Sequence, residues 1–141
     1  MAANIISYLL FLSLSAGTIL TTYWYAESWQ PIVELPEAPH VSGYESGVYI
    51  DVHWIAQRKN LCPAWNQPII ISTEKGGIAE SLYRVPMLQY HDMTDFTRRY
   101  YITLHLAAGR YIFRHELRSQ CNPLFNNQQI IDIPFEIPLI P

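Results

Sequence analysis

The first charged side chain in this sequence is Glu27. From Met1 to Ala26 there is no Asp, Glu, Lys or Arg, and Ile5 to Tyr25 is mostly apolar. A stretch of this kind decides its solvent before it decides a fold. About 20 apolar residues, each rising 1.5 Å, cross a hydrocarbon layer about 30 Å thick. Inside that layer the backbone must satisfy its own N–H and C=O groups, so the segment is a helix. It closes with Tyr23, Trp24 and Tyr25, and a turn later Trp29. Such rings, apolar with a polar edge, favour the headgroup region. Residues 1–29 therefore read as an N-terminal transmembrane anchor with an aromatic belt, in contact with the lipid bilayer through residues 5–25.

A cleaved signal peptide is the competing reading, and it would leave a secreted soluble β-domain. Ser15-Ala16-Gly17 offers the small residues of a cleavage site. Against it, a basic leader is missing and the apolar run continues past that site. No Lys or Arg flanks the span, so the positive-inside signal is weak. The cysteines considered below place the C-terminal part outside the cytoplasm and the N-terminus inside. Ser13, Gly17 and Thr21 lie four apart, which puts small side chains on one helix face. That face is the expected contact of a homodimer.

Beyond the anchor the composition turns towards β-structure. The chain of 141 residues has ten prolines and ten tyrosines. Only 15% of its residues are charged and its net charge is −3, which argues against a nucleic-acid partner. Residues 30–46 hold Pro31, Pro36 and Pro39 and read as an extended, semi-rigid linker lifting a domain off the membrane. His40 is expected to be solvated there.

From Gly47 the hydrophobic period becomes two. Val48, Ile50, Val52 and Trp54 alternate with Tyr49, Asp51, His53 and Ile55, which predicts a strand with one buried face. Ile69 to Ile71 make a short strand after Pro68, ended by the turn cluster Glu74-Lys75-Gly76-Gly77. Ser81 to Tyr90 is extended but interrupted by Pro86, as in an edge or bulged strand. Tyr100, Ile102, Leu104 and Leu106 alternate with polar residues, as do Tyr111, Phe113, His115 and Leu117. Pairing Ala107 with Arg110 makes one face of a hairpin apolar, with Leu106 opposite Tyr111 and Tyr100 opposite Leu117. A bulged turn with Gly109 left-handed is the alternative. A last strand runs through Ile130 to Ile133, and the tail Pro134 to Pro141 is an edge strand or a lone extended segment. This rhythm over residues 47–141 predicts a mainly β protein. The expected fold is an immunoglobulin- or fibronectin-like antiparallel β-sandwich, with a small β-barrel as runner-up.

In layout, and in Gly109-Arg110-Tyr111-Ile112-Phe113-Arg114-His115-Glu116-Leu117 ahead of Cys121-Asn122-Pro123-Leu124, the chain resembles small single-span membrane proteins with an extracytoplasmic Ig-like domain, such as bacteria and their phages encode. The resemblance implies a fold and an envelope location, without a chemistry.

Cys62 and Cys121 sit in similar surroundings, each following a strand and each with a proline close behind. Two such units place both cysteines at one end of the domain. An even pair in an exported domain predicts a disulfide. Closing a loop of about 60 residues contributes roughly 4 kcal/mol in the chain-entropy model.

The chemistry-bearing residues form no recognisable machinery. Histidines 40, 53, 91, 105 and 115 include no HxH or HxxxH spacing. His115 is expected to face inwards and His105 outwards. A copper- or zinc-binding β-sandwich is the alternative function, but no metal or other cofactor is expected. Asp51 and His53 with Ser72 or Ser81 lack any nucleophile elbow, so no catalytic residue is assigned. Trp65 and Phe125, loop aromatics beside the cysteines, are candidate contact residues. So are Arg98, Arg99 and Arg114, which with Arg110 and Arg118 make a basic cluster in an acidic protein. The expected function is a non-catalytic interaction or structural module at the cell envelope, with a protein partner there.

Overall fold

The computed structural model describes residues 2–59, 62–74, 76–87 and 92–138. It opens with one long helix, α1 (Ala2–Ser28). Ile5–Ser28 is long and apolar enough to cross a membrane, and none of its most apolar window is buried against the rest of the chain. The hydroxyls of Ser13, Ser15, Thr18, Thr21, Thr22 and Ser28 are satisfied within the helix. Thr18 Oγ1 donates to the Leu14 carbonyl at 2.8 Å, and Thr21 Oγ1 to that of Gly17 at 2.8 Å. Polar side chains can therefore sit in an apolar surrounding without an orphan donor.

Among the described residues nine strands follow: β1 (Val33–Glu34), β2 (His40–Glu45), β3 (Tyr49–Arg58), β4 (Ala64–Ser72), β5 (Gly77–Ser81), β6 (Val85–Pro86), β7 (Thr94–Tyr101), β8 (Gly109–Ser119) and β9 (Asn127–Ile137). They form two antiparallel sheets. In the first, β3 pairs with β1 and β2 along one edge and with β7 along the other. In the second the order is β5-β4-β8-β9, with β6 also beside β4. The inward parity of the long strands is mostly apolar, with Arg58, Asn66, His115 and Ser119 as buried polar members, and both sheets feed one hydrophobic cluster. Ile50, Val52, Trp54 and Tyr100 come from the first sheet, and Ile70, Phe113, Leu117 and Ile133 from the second. Rings meet between the sheets, Tyr100 with Phe113 at 5.1 Å and Trp54 with His115 at 4.7 Å, both edge to face.

Several expectations need correcting. The alternating runs on either side of Gly109 are not a hairpin. β7 pairs with β3, Tyr100 opposite Ile50, while β8 pairs with β4 and β9. Alternation specifies which face of a strand is buried, and it was right for Tyr100, Tyr111, Phe113, His115 and Leu117. It says nothing about which strand lies alongside. The two strands send their apolar faces into the core from opposite sheets, and residues 102–108 cross between them. Glu80 holds that crossing, accepting from the Thr103 N–H at 2.8 Å and the Leu104 N–H at 3.1 Å. At its far end Tyr111 Oη donates to the Ala107 carbonyl at 2.9 Å.

Residues 30–46 are not a free stalk. They carry β1 and β2, and Ile32 and Val33 are buried in the core. The prolines flank these strands, so the residues between them keep the N–H groups that a ladder needs. β4 runs straight through Pro68. The Pro68 carbonyl accepts from the Leu82 N–H at 3.0 Å, so its missing donor faces the gap between β5 and β6, where no ladder bond is lost. The extended stretch expected over Ser81 to Tyr90 is split by that gap, and residues 88–90 lie outside the described residues. β9 reaches Ile137 and passes through Pro134, opposite Ile112, on the sheet edge. Residues 139–141 lie outside the description. Gly47 takes a φ of 70° in the β2–β3 turn, where a Cβ would stand 2.3 Å from the His105 ring. Only glycine fits there.

Candidate functional site at the disulfide-bonded end

Cys62 and Cys121 are joined in a disulfide, with Cα atoms 4.9 Å apart. In the β4–β8 ladder Ala64 lies opposite Ser119, and the cysteines continue that register two residues further out. The Gln120 N–H closes the step between them, donating to the Pro63 carbonyl at 3.1 Å. The bridge thus clamps two neighbouring strands of one sheet at their common end. The two cysteine segments do share that end, as their similar surroundings implied.

The end of α1 is stitched to the same place. After Cys121, the buried Asn122 shapes the β8–β9 loop, its Oδ1 accepting from the Leu124 N–H at 3.1 Å and the Phe125 N–H at 2.8 Å. Its Nδ2 donates to Glu27 Oε2 at 3.4 Å. Phe125 packs edge to face on Tyr25 with ring centroids 5.8 Å apart, and Tyr25 in turn meets Trp29 at 5.8 Å. Below the helix, Asn127 Nδ2 donates to the Gln30 carbonyl. Gln129 Oε1 accepts from the N–H groups of Ile32 at 2.9 Å and Val33 at 3.0 Å, and its Nε2 donates to the Val33 carbonyl at 3.0 Å. An amide side chain here stands in for a strand partner, satisfying backbone groups of Ile32 and Val33 where the chain enters β1. Arg58, itself buried, donates to the Cys62 and Met87 carbonyls and ties down the other side. Burial lowers its pKa from the ordinary arginine value.

The candidate contact residues are not gathered into one patch. Phe125 is occupied by Tyr25. Trp65 lies on β4, half-buried, with the Arg84 guanidinium 4.3 Å from its ring centroid. Arg99 projects from the outer face of the first sheet. Its Nε and Nη2 donate to the two oxygens of Asp51 at 2.8 and 2.7 Å, and it stacks on Tyr49 at 3.9 Å. Arg114 does the same on the second sheet, meeting Asp132 at 2.7 and 2.8 Å. In each pair the guanidinium holds the carboxyl below its usual range. Arg98 has the opposite parity and lines a cavity of about 50 Å³ between the sheets with Trp54, Arg58 and Asn66. Arg118 lies beside Glu116 at 3.5 Å. The basic cluster of the sequence is therefore divided between two sheets and mostly paired with carboxylates.

Asp51 and His53 belong to the first sheet, whereas Ser72 and Ser81 are in the second. His53 sits between Thr97 and Asp95, and its ring centroid is 5.0 Å from that of His40. His91 lies outside the described residues. His115 is fully buried, and desolvation, followed by the charge of Arg98, pushes its pKa down to about 3. Asn66 Nδ2 is 2.8 Å from its Nδ1, which fits a neutral ring accepting there. Among the described residues, the group of His, Cys, Asp and Glu close enough to share an ion is Glu27, Cys62 and Cys121. With both sulfurs in a disulfide, no thiolate is available to such an ion. Ser13, Gly17 and Thr21 do share one face of α1, and their hydroxyls bond within the helix.

Glu27, Asn122, Asn127 and Gln129 were not singled out from the sequence. A signal was present, since no charge occurs from Ser119 to Ile131 and that run is rich in Asn and Gln. No protein-family model matches the sequence, and no curated protein matches it either.

Proposed function

We propose that this chain is a membrane-anchored, extracytoplasmic β-sandwich that serves as a non-catalytic interaction or structural module at the cell envelope. The observation that carries the reading is the join between α1 and the sheets. A bare apolar helix long enough to cross a bilayer ends on the disulfide-bonded pole of a β-rich unit. A stable disulfide belongs to an oxidising compartment, which favours a cytoplasmic N-terminus and an exported C-terminal part.

The finer fold assignment is immunoglobulin- or fibronectin-like. Strands β2, β3 and β7 correspond in order to A, B and E of that architecture, and β4, β8 and β9 to C, F and G, with β5 beside β4 as C′. The Tyr111 bond to the Ala107 carbonyl has the form of a tyrosine corner, at the start of the F-equivalent strand. One feature of antibody domains is missing. Their disulfide joins two sheets, whereas this one joins neighbouring strands of a single sheet.

Reporter fusions at the C-terminus test the location. A phosphatase that folds only outside the cytoplasm should be active, and a fluorescent protein that matures only inside should stay dark. The reverse pattern would invert the topology and remove the envelope reading.

A further inference from the structure

We propose that the β8–β9 loop is a second membrane foothold, with Leu124 and Phe125 entering the headgroup–acyl boundary of the bilayer that α1 crosses. The inference rests on the reading of α1 as a span and adds a lipid contact made by the β-region itself.

Depth is set by contact with the helix. About 30 Å of hydrocarbon takes about 20 residues, which from Ile5 ends at Trp24. Phe125 packs on Tyr25 and Asn122 bonds to Glu27, so the loop lies within a turn of the hydrocarbon boundary. Its composition suits that depth. From Ser119 to Ile131 the chain has no charged residue. Asn122 satisfies the N–H groups of Leu124 and Phe125, so this backbone enters a drier layer with two donors already bonded. Leu124 nevertheless leaves 58% of its surface bare, and Trp29, whose ring meets Tyr25, is 73% exposed. An exposed leucine at the tip of an uncharged loop, held against the aromatic belt of a helix, is covered by lipid. The partition is apolar, so no particular headgroup is required. The disulfide then faces the membrane, and the β2–β3 and β4–β5 turns face away from it.

The test uses the full chain in phosphatidylcholine nanodiscs with Ile and Leu methyl labels. A fraction of the lipid carries a nitroxide near the top of its acyl chain. Leu124 should lose most of its methyl intensity, as Leu20 does, while the exposed Ile78 at the far end keeps its own. Broadening of Leu20 without Leu124 would overturn the foothold and leave the span standing. If neither broadens, the span itself fails and the foothold with it.

Discussion

Leucine and isoleucine do opposite things in the two parts of this chain. In α1 they lie bare, with Leu14 70% and Ile19 71% exposed, whereas Ile50 and Ile70 in the sheets have no exposure at all. The side chains have the same chemistry, so the difference lies in what each part can bury against. The strands alternate, and two sheets that share one hydrophobic cluster remove most of one parity of their long strands from water. The helix is apolar on every side, and no single partner face could cover it. A bilayer covers all sides at once. Between the two parts lies a seam of uncharged polar side chains, Asn122, Asn127 and Gln129, which hold the chain as it passes from the helix to the sheets.

The helix and the sheets can be perturbed separately. Replacing both Cys62 and Cys121 by Ala should lower the stability of the β-region by roughly 4 kcal/mol, from the loop it leaves open. Membrane retention should be unchanged. Chemical denaturation and membrane fractionation of the same variant check both halves of that statement. Leu14→Arg should do the reverse. A charge at the centre of a span costs about 3 kcal/mol on insertion scales, so the protein should leave the membrane fraction while the denaturation midpoint of the sheets stays put.

Acid acts on the β-core through His115, which is fully buried there. The folded pKa of His115, about 3, lies below the unfolded value of about 6.5. The unfolded state therefore binds the extra proton, and stability falls as pH drops below 6.5 towards 3. Between pH 7.5 and 5 the loss should be about 2 kcal/mol. Asp51 and Asp132 are also held low, but their contribution is lost only on reaching the ordinary Asp range, below that window. Denaturation midpoints across the window should flatten in His115→Leu. A slope that survives this substitution would assign it to another group. Smaller still, Tyr111→Phe should cost about 1 kcal/mol by removing the bond to the Ala107 carbonyl. A null effect in denaturant would leave the tyrosine-corner assignment without energetic content.

The difference between the two regions also explains what could be read from the sequence. α1 was legible because one property, the absence of charge over a long run, is sufficient by itself. The buried faces of β3, β7 and β8 were legible for a similar reason, since alternation is local. Pairing was not. Tyr100 and Phe113 touch as two members of one hairpin face would, yet from opposite sheets, and a pattern in the sequence does not separate these cases. The prolines of residues 30–46 mislead because their spacing suggests an extended linker, whereas they only bound the strands between them. The arginines misled in another way. Their neighbourhood in sequence suggested one surface, but Arg98 and Arg99 face opposite ways on one strand, while Asp51 and Asp132, distant in sequence, supply the partners. Cysteine placement succeeded because both segments repeat the same local order of strand, Cys and Pro.

Intact mass of the protein recovered from washed membranes, alkylated before and after reduction, tests together whether the chain spans a membrane and whether its β-region is oxidised and exported. The expected result is a mass near 16.4 kDa that takes up no alkyl group until reductant is added, and then takes up two, one each for Cys62 and Cys121. Two alkyl groups without reductant would contradict the oxidised, exported β-region. Recovery of the chain only from the soluble fraction would contradict the span.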